Sequence, residues 1–84
     1  MDNDDQLLKE REQGHRAQLI IDNPLFVETW EKMDARLMRI MSDPSTADDA
    51  VMEARRGLIV LRRLKSEIET VLKTGEMANI QLDE

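Results

Sequence analysis

The chain has no cysteine, which excludes disulfide scaffolds, thiolate metal sites and cysteine nucleophiles. It has one histidine, His15, so a zinc site would have to draw most of its ligands from carboxylates, an uncommon donor set for structural zinc. Tyrosine is absent, and the aromatic content is Phe26 and Trp30 alone. The three glycines, Gly14, Gly57 and Gly75, stand far apart and form no phosphate-cradling loop. Few β-branched runs and little glycine or aromatic punctuation argue against a sheet. No apolar run approaches the roughly twenty residues that cross a bilayer. The opening Met1-Asp2-Asn3-Asp4-Asp5 lacks the basic and apolar regions of a signal peptide. The expectation is a cytoplasmic protein with no membrane partner and no cofactor.

What is present is charge and aliphatic side chains. Charged residues make up 36% of the chain and the formal net charge is -6, a balance that favours a solvated surface and does not by itself attract nucleic acid or anionic lipid. Eighty-four residues are expected to form a single helical domain, near the lower limit at which one apolar core suffices without disulfides, metal or a partner. Self-association is therefore expected from size alone.

Two proline-centred breaks divide the sequence. At Asp22-Asn23-Pro24 a capping side chain precedes a proline suited to the first helical position. At Ser42-Asp43-Pro44-Ser45-Thr46 the proline ends one helix, and Thr46 with Asp49 resembles a weak capping box for the next. Thr74-Gly75 reads as a third stop, with glycine in the left-handed position beyond a helix end. These signals predict helices over roughly 4–22, 24–41 and 46–74. Residues 1–5 form a frayed acidic start, and a short tail, 76–84, docks through Met77, Ile80 and Leu82 or frays.

The second helix carries Phe26, Trp30, Met33, Leu37 and Ile40 or Met41 at gaps of three and four, with charged residues on most other positions. The third repeats the pattern with Val51, Ala54, Leu58, Leu61, Leu64, Ile68 and Val71 or Leu72. Two such stripes joined by a short turn predict an antiparallel αα-hairpin with an additional N-terminal helix, an all-α fold. The longer helix overhangs its partner, so Ile68, Val71 and Leu72 need cover from the first helix or from another subunit. The first helix, weakened in its middle by Gly14 and by Lys9-Glu10-Arg11-Glu12, is expected to be only partly buried.

Little in this pattern points to catalysis. His15 lacks a nearby nucleophile and orienting carboxylate, and reads as a surface histidine. The carboxylate pairs, Asp48-Asp49, Glu67 with Glu69 and Asp83-Glu84, read as solvated faces, the first of them suited to a helix N-terminus. Arg55, Arg56, Arg62, Arg63 and Lys65 form the one concentrated basic segment, and Arg55 with Arg62 and Arg56 with Arg63, each seven residues apart, recur on one side of the helix. They can contact phosphates or an acidic partner, or they can flank the seam in ion pairs. No aromatic residue interleaves with them to stack bases. Gly57, inside a helix, marks either a close approach of another helix or a tolerated surface position. Phe26 and Trp30 are core residues or, if exposed, an interaction hot spot.

The order His15-Arg16-Ala17-Gln18-Leu19-Ile20, Asp22-Asn23-Pro24-Leu25-Phe26, a helix with Trp30, Leu58-Ile59-Val60-Leu61-Arg62-Arg63-Leu64 and Val71-Leu72-Lys73-Thr74-Gly75 resembles small α-helical proteins encoded among the virion-structural genes of tailed bacteriophages and prophages. The resemblance spans most of residues 15–78. It implies a phage assembly component located in the bacterial host cytoplasm or the virion: a small terminase subunit, a scaffold or a head-completion accessory. The expected function is a non-enzymatic interaction module that self-associates or binds a phage structural protein. Its seam is Phe26, Trp30, Met33 and Leu37 against Val51, Ala54, Leu58, Leu61, Leu64 and Ile68. Two alternatives stand beside it. One is a small-terminase-like DNA-packaging factor that binds nucleic acid through the four arginines. The other is an acidic phage-encoded inhibitor of a host protein.

Overall fold

The computed structural model describes residues 3–84. They form three α-helices, α1 (Asn3–Ile21), α2 (Pro24–Ser42) and α3 (Asp48–Asp83), with no strand among the described residues. Of the expected frayed start, Met1 and Asp2 lie outside the described residues. Residues 3–5 are helical instead, with Asp4 and Asp5 in the first turn of α1, where carboxylates meet the positive end of the helix.

Both proline breaks fall where the sequence places them. After α1 the Asp22 N–H still donates to the Gln18 carbonyl at 2.9 Å, and the Asn23 N–H turns to the Ile20 carbonyl at 3.1 Å. That tightening ends the helix, and Pro24 opens α2 where its missing N–H costs nothing. After α2 the Asp43 carboxylate accepts both the Ser45 N–H (2.9 Å) and the Ser45 hydroxyl (2.7 Å). The Thr46 N–H donates to the Asp43 carbonyl at 3.1 Å. The two Ser45 bonds hold the Asp43 carboxyl below the usual carboxylate range. The Thr46–Asp49 capping box is a correction: α3 begins at Asp48, and the Ala47 carbonyl accepts the first helical bond, from Val51, at 3.0 Å. Ala47 therefore holds the cap position, and Asp43 supplies the side-chain bonds that shape the turn.

The third stop is also corrected. α3 does not end at Thr74 but continues to Asp83, so the expected tail is helical through Met77, Ile80 and Leu82. Gly75 does not cap it, since no glycine among the described residues has a positive φ. Its role follows from what it touches.

The chain divides into two compact units, one comprising Pro24–Lys65 and the other Met1–Asn23 with Ser66–Glu84. In the first, Trp30 meets Leu61, Asp34 meets Arg62, Leu37 meets Gly57, and Ile40 shares a groove with Ala50 and Ala54. From Trp30 with Leu61 through Leu37 with Gly57 to Ile40 with Ala54, partners descend along α3 as they ascend along α2, which makes an antiparallel hairpin. The face that α3 turns to α2 runs Val51, Ala54, Leu58, Leu61, Lys65, alternating steps of three and four. Ala54 and Leu58 are buried, and α2 contributes only half-buried residues, among them Phe26, Trp30 and Leu37. Leu64, expected in this seam, is 51% exposed because Lys65 occupies its place.

In the other unit α1 lies antiparallel against residues 66–84 of α3. Its centre is a contact between two glycines. A Cβ placed on Gly14 would stand 2.8 Å from the Gly75 Cα, and one placed on Gly75 would stand 2.6 Å from the Gly14 Cα and 2.9 Å from the Glu10 carbonyl oxygen. The two backbones touch, with Ala17 and Ala78 buried beside them. Of the two readings open for Gly57, a close backbone approach is found instead at Gly14 and Gly75, while Gly57 meets only the Leu37 side chain. α1 is only weakly amphipathic, in keeping with a helix held by backbone proximity more than by an apolar stripe. It nevertheless covers part of the overhang, leaving Ile68 and Leu72 half-buried and Val71 exposed.

These contacts set opposite signs for one substitution. Alanine ordinarily stabilises a helix interior by about 1 kcal/mol over glycine. At Gly14 or Gly75 its methyl group would collide with backbone, and overpacking of this kind costs about 1–3 kcal/mol. At Gly57 the added Cβ would rest 3.6 Å from Leu37 Cδ2, an ordinary contact. Gly75→Ala is expected to lower the urea unfolding midpoint and Gly57→Ala to raise it. A rise for Gly75→Ala would contradict the backbone contact.

Candidate functional site

The α2–α3 hairpin has two sides that differ in chemistry. On one side Trp30 and Asp34, a turn apart on α2, engage the adjacent residues Leu61 and Arg62 of α3, with Lys65 one turn further on. The indole Nε1–H donates to the Leu61 carbonyl at 3.1 Å, and the Lys65 ammonium stands 4.2 Å from the ring centroid. The hydrogen bond contributes about 1 kcal/mol net, and a cation over an indole face about 0.5–1 kcal/mol. Asp34 accepts two bonds from Arg62, from Nε at 2.9 Å and from Nη2 at 3.3 Å, a fork-to-carboxylate geometry. The Asp34 side chain is 19% exposed and that of Arg62 54%, so solvent screens the pair from the arginine side. The Arg62 hydrogen bond holds the Asp34 carboxyl below the usual range; burial opposes it, and the charges of Arg62 and Lys65 add smaller lowering effects. The Arg62 guanidinium is pushed up in return.

This clasp explains why a lysine stands where the sequence pattern places a leucine. The indole offers its N–H to α3 and its π face to whatever sits one turn later, and an ammonium on a four-carbon stem fits that face better than a branched alkyl group. The sequence reading put Lys65 in the basic segment and Asp34 among the charged positions of α2; that both belong to the helix seam is what it missed. The legible signal was the strict alternation of three and four through 30, 34, 37 and 41 and through 58, 61, 65 and 68, which places both residues in the seam.

The other side is apolar and open. Met33 and Ile40 share a row on α2 with Arg36 between them. Across from them, Ala50, Ala54 and Gly57 make a floor of small residues with Glu53 at its edge. The same row of α3 continues through Val60, 67% exposed, to Leu64.

The remaining sequence-predicted residues scatter. Of the four arginines, Arg62 is committed to Asp34, while Arg55, Arg56 and Arg63 are exposed and take part in no ion pair among the described residues. Phe26 and Trp30 are half-buried in the hairpin and do not project as an exposed pair. His15 is exposed beside Gly14, at a shallow depression shared with Arg11, Gln18, Glu76 and Asn79. Asp48 and Asp49 occupy the first turn of α3, and Glu67, Glu69, Asp83 and Glu84 are exposed. Among the described residues no group of three or more histidine, aspartate or glutamate side chains is placed to hold a metal ion. No described helix is long and apolar enough to cross a membrane. Compared with known proteins, the chain matches no family model, no curated protein and no solved structure.

The clasp has a pH signature. Because the folded pKa of Asp34 is depressed, its stabilising contribution is complete above the ordinary value of 3.8 and is lost as pH falls through the lower folded value. Asp34→Asn is expected to lower the unfolding midpoint at pH 7 and to flatten its decline into the acid range, leaving the part due to Asp43. A variant with an unchanged midpoint and an unchanged acid slope would show that the pair contributes nothing.

Proposed function

We propose that this chain is a non-enzymatic interaction module that associates through its helical faces, with further copies of itself and with a structural protein of a tailed-phage particle or its assembly pathway. The observation that supports association is how much apolar surface the fold leaves uncovered. No large side chain among the described residues is fully buried, and the buried apolar residues are Ala17, Ala54, Leu58 and Ala78. Leu19, Leu25, Val60, Met77 and Ile80 are each more than 60% exposed. The accessible surface is 6619 Å² for a 9.8 kDa chain. A folded monomer of that mass presents roughly 5,200 Å², leaving an excess of roughly 1,400 Å². A standard interface takes about 800 Å² from each partner, so the excess is more than one such interface removes. The phage setting rests on the sequence resemblance of residues 15–78.

The nucleic-acid reading has less support. Arg62 is turned to Asp34, and Arg55, Arg56 and Arg63 remain on a chain of net charge -6. Phosphate contact would have to overcome that balance.

Absolute mass by light scattering on a sizing column, at several concentrations and near physiological salt, tests the proposal. The expected result is a closed oligomer, and a monomer at every concentration would overturn self-association. In the same buffer a DNA titration is expected to show no binding. Affinity that falls steeply with salt and vanishes when Arg55, Arg56 and Arg63 become glutamine would put nucleic acid ahead of protein assembly.

A further inference from the structure

The clasp occupies one side of the α2–α3 hairpin, and the opposite side carries a continuous apolar shoulder with a floor of small residues, while Val27, Met38, Met52 and Ile59 are exposed elsewhere on the hairpin. We infer that this shoulder is where a second copy of the chain docks, two-fold related about an axis along the helices, so that α2 of each copy packs on α3 of the other in a four-helix layer. The inference deepens the self-association reading above and rests on it.

Three observations carry it. The floor is small, Ala50, Ala54 and Gly57, and a small-residue floor lets an incoming helix come close to α3. The walls are apolar: Met33, Val60 and Leu64 are exposed and Ile40 is half-buried. The rims carry opposite signs, Arg36 on α2 and Glu53 on α3. A foreign partner would need both signs in the matching order, whereas a second copy presents them automatically, because a two-fold interface sets each surface against itself.

The register suits this pairing. Leu37 lies against Gly57, so Leu58 is level with Arg36 across the hairpin. An axis along the helices preserves level, so Arg36 of one copy stands level with Leu58 of the other. Glu53 is five residues from there, roughly 7.5 Å along the axis, within reach of an arginine side chain. Each interface then contains two Arg36–Glu53 pairs at the edge of a dry apolar strip. Both residues are exposed in the single chain and take part in no ion pair among its described residues, so the second copy gives them partners without breaking any.

The test uses Arg36→Glu and Glu53→Arg, both exposed positions, with helicity followed by circular dichroism. Either variant alone places like charges together twice per interface and is expected to weaken association by roughly tenfold or more. An equimolar mixture of the two is expected to recover wild-type affinity. The Arg36→Glu chain then offers its glutamates, new and native, to the native and new arginines of the Glu53→Arg chain. Recovery on mixing requires the contact to run between chains. If each variant weakens association and the mixture does not recover, the pairing lies within one chain and the docking geometry is overturned. If wild type and both variants associate equally, the shoulder is not the interface, while self-association itself stands. A wild type that is monomeric throughout overturns both.

Discussion

The fold depends on a constraint of thickness. Each of the two units is a pair of helices, a pair has one seam, and no large side chain among the described residues is buried completely. The chain answers by placing its smallest residues where helices meet. At Gly14 and Gly75 no side chain intervenes, and the two backbones pack directly. Each glycine gives up about 1 kcal/mol of helix propensity. The return is that α1 comes close enough for Ala17 and Ala78 to be buried and for Ile68 and Leu72 to be partly covered. Dispersion contacts fall off steeply with separation, so a helix held one methyl group farther away would lose much of this packing.

In the hairpin the same thinness is met differently. Polar chemistry fixes register where apolar burial is limited: the indole bond to Leu61, the ammonium over the ring and the Arg62–Asp34 fork define one alignment of α2 on α3. A slip by one turn would break all three together. The clasp occupies one side, and on the other side Met33, Val60 and Leu64 stay exposed and Ile40 is only half-buried. Apolar exposure of this kind is a standing cost in water that association relieves. The link from sequence to proposed function therefore runs through seam positions occupied by Asp34 and Lys65 in place of apolar side chains.

The fold class was legible because its signals are local. Prolines at 24 and 44, an amphipathic stripe from Phe26 to Met41 and a second from Val51 onward are each readable within one or two turns. The errors concern residues whose meaning lies far along the chain. Gly75 near a run of polar residues reads as a helix stop, and nothing within several turns reveals that Gly14 is its partner. Leu64 and Lys65 are adjacent, and hydrophobicity alone favours the leucine for the seam. Only the indole of Trp30, brought up from the opposite helix, selects the lysine. The arginine segment was read as one group, yet an aspartate on another helix separates Arg62 from its neighbours. The open shoulder could not be read at all, because it is defined by which side the clasp closes.

The central claim is that association completes a core that one chain leaves thin, and the most direct measurement is the thermal unfolding midpoint as a function of protein concentration. A fold stabilised by binding its own copies has a midpoint that rises with concentration, by the same mass action that links any ligand to stability. The account predicts a steady rise across a range of roughly a hundredfold in concentration, matched by a gain in mass. A sharp, reversible transition at a midpoint independent of concentration, from a chain that remains a monomer, would contradict it.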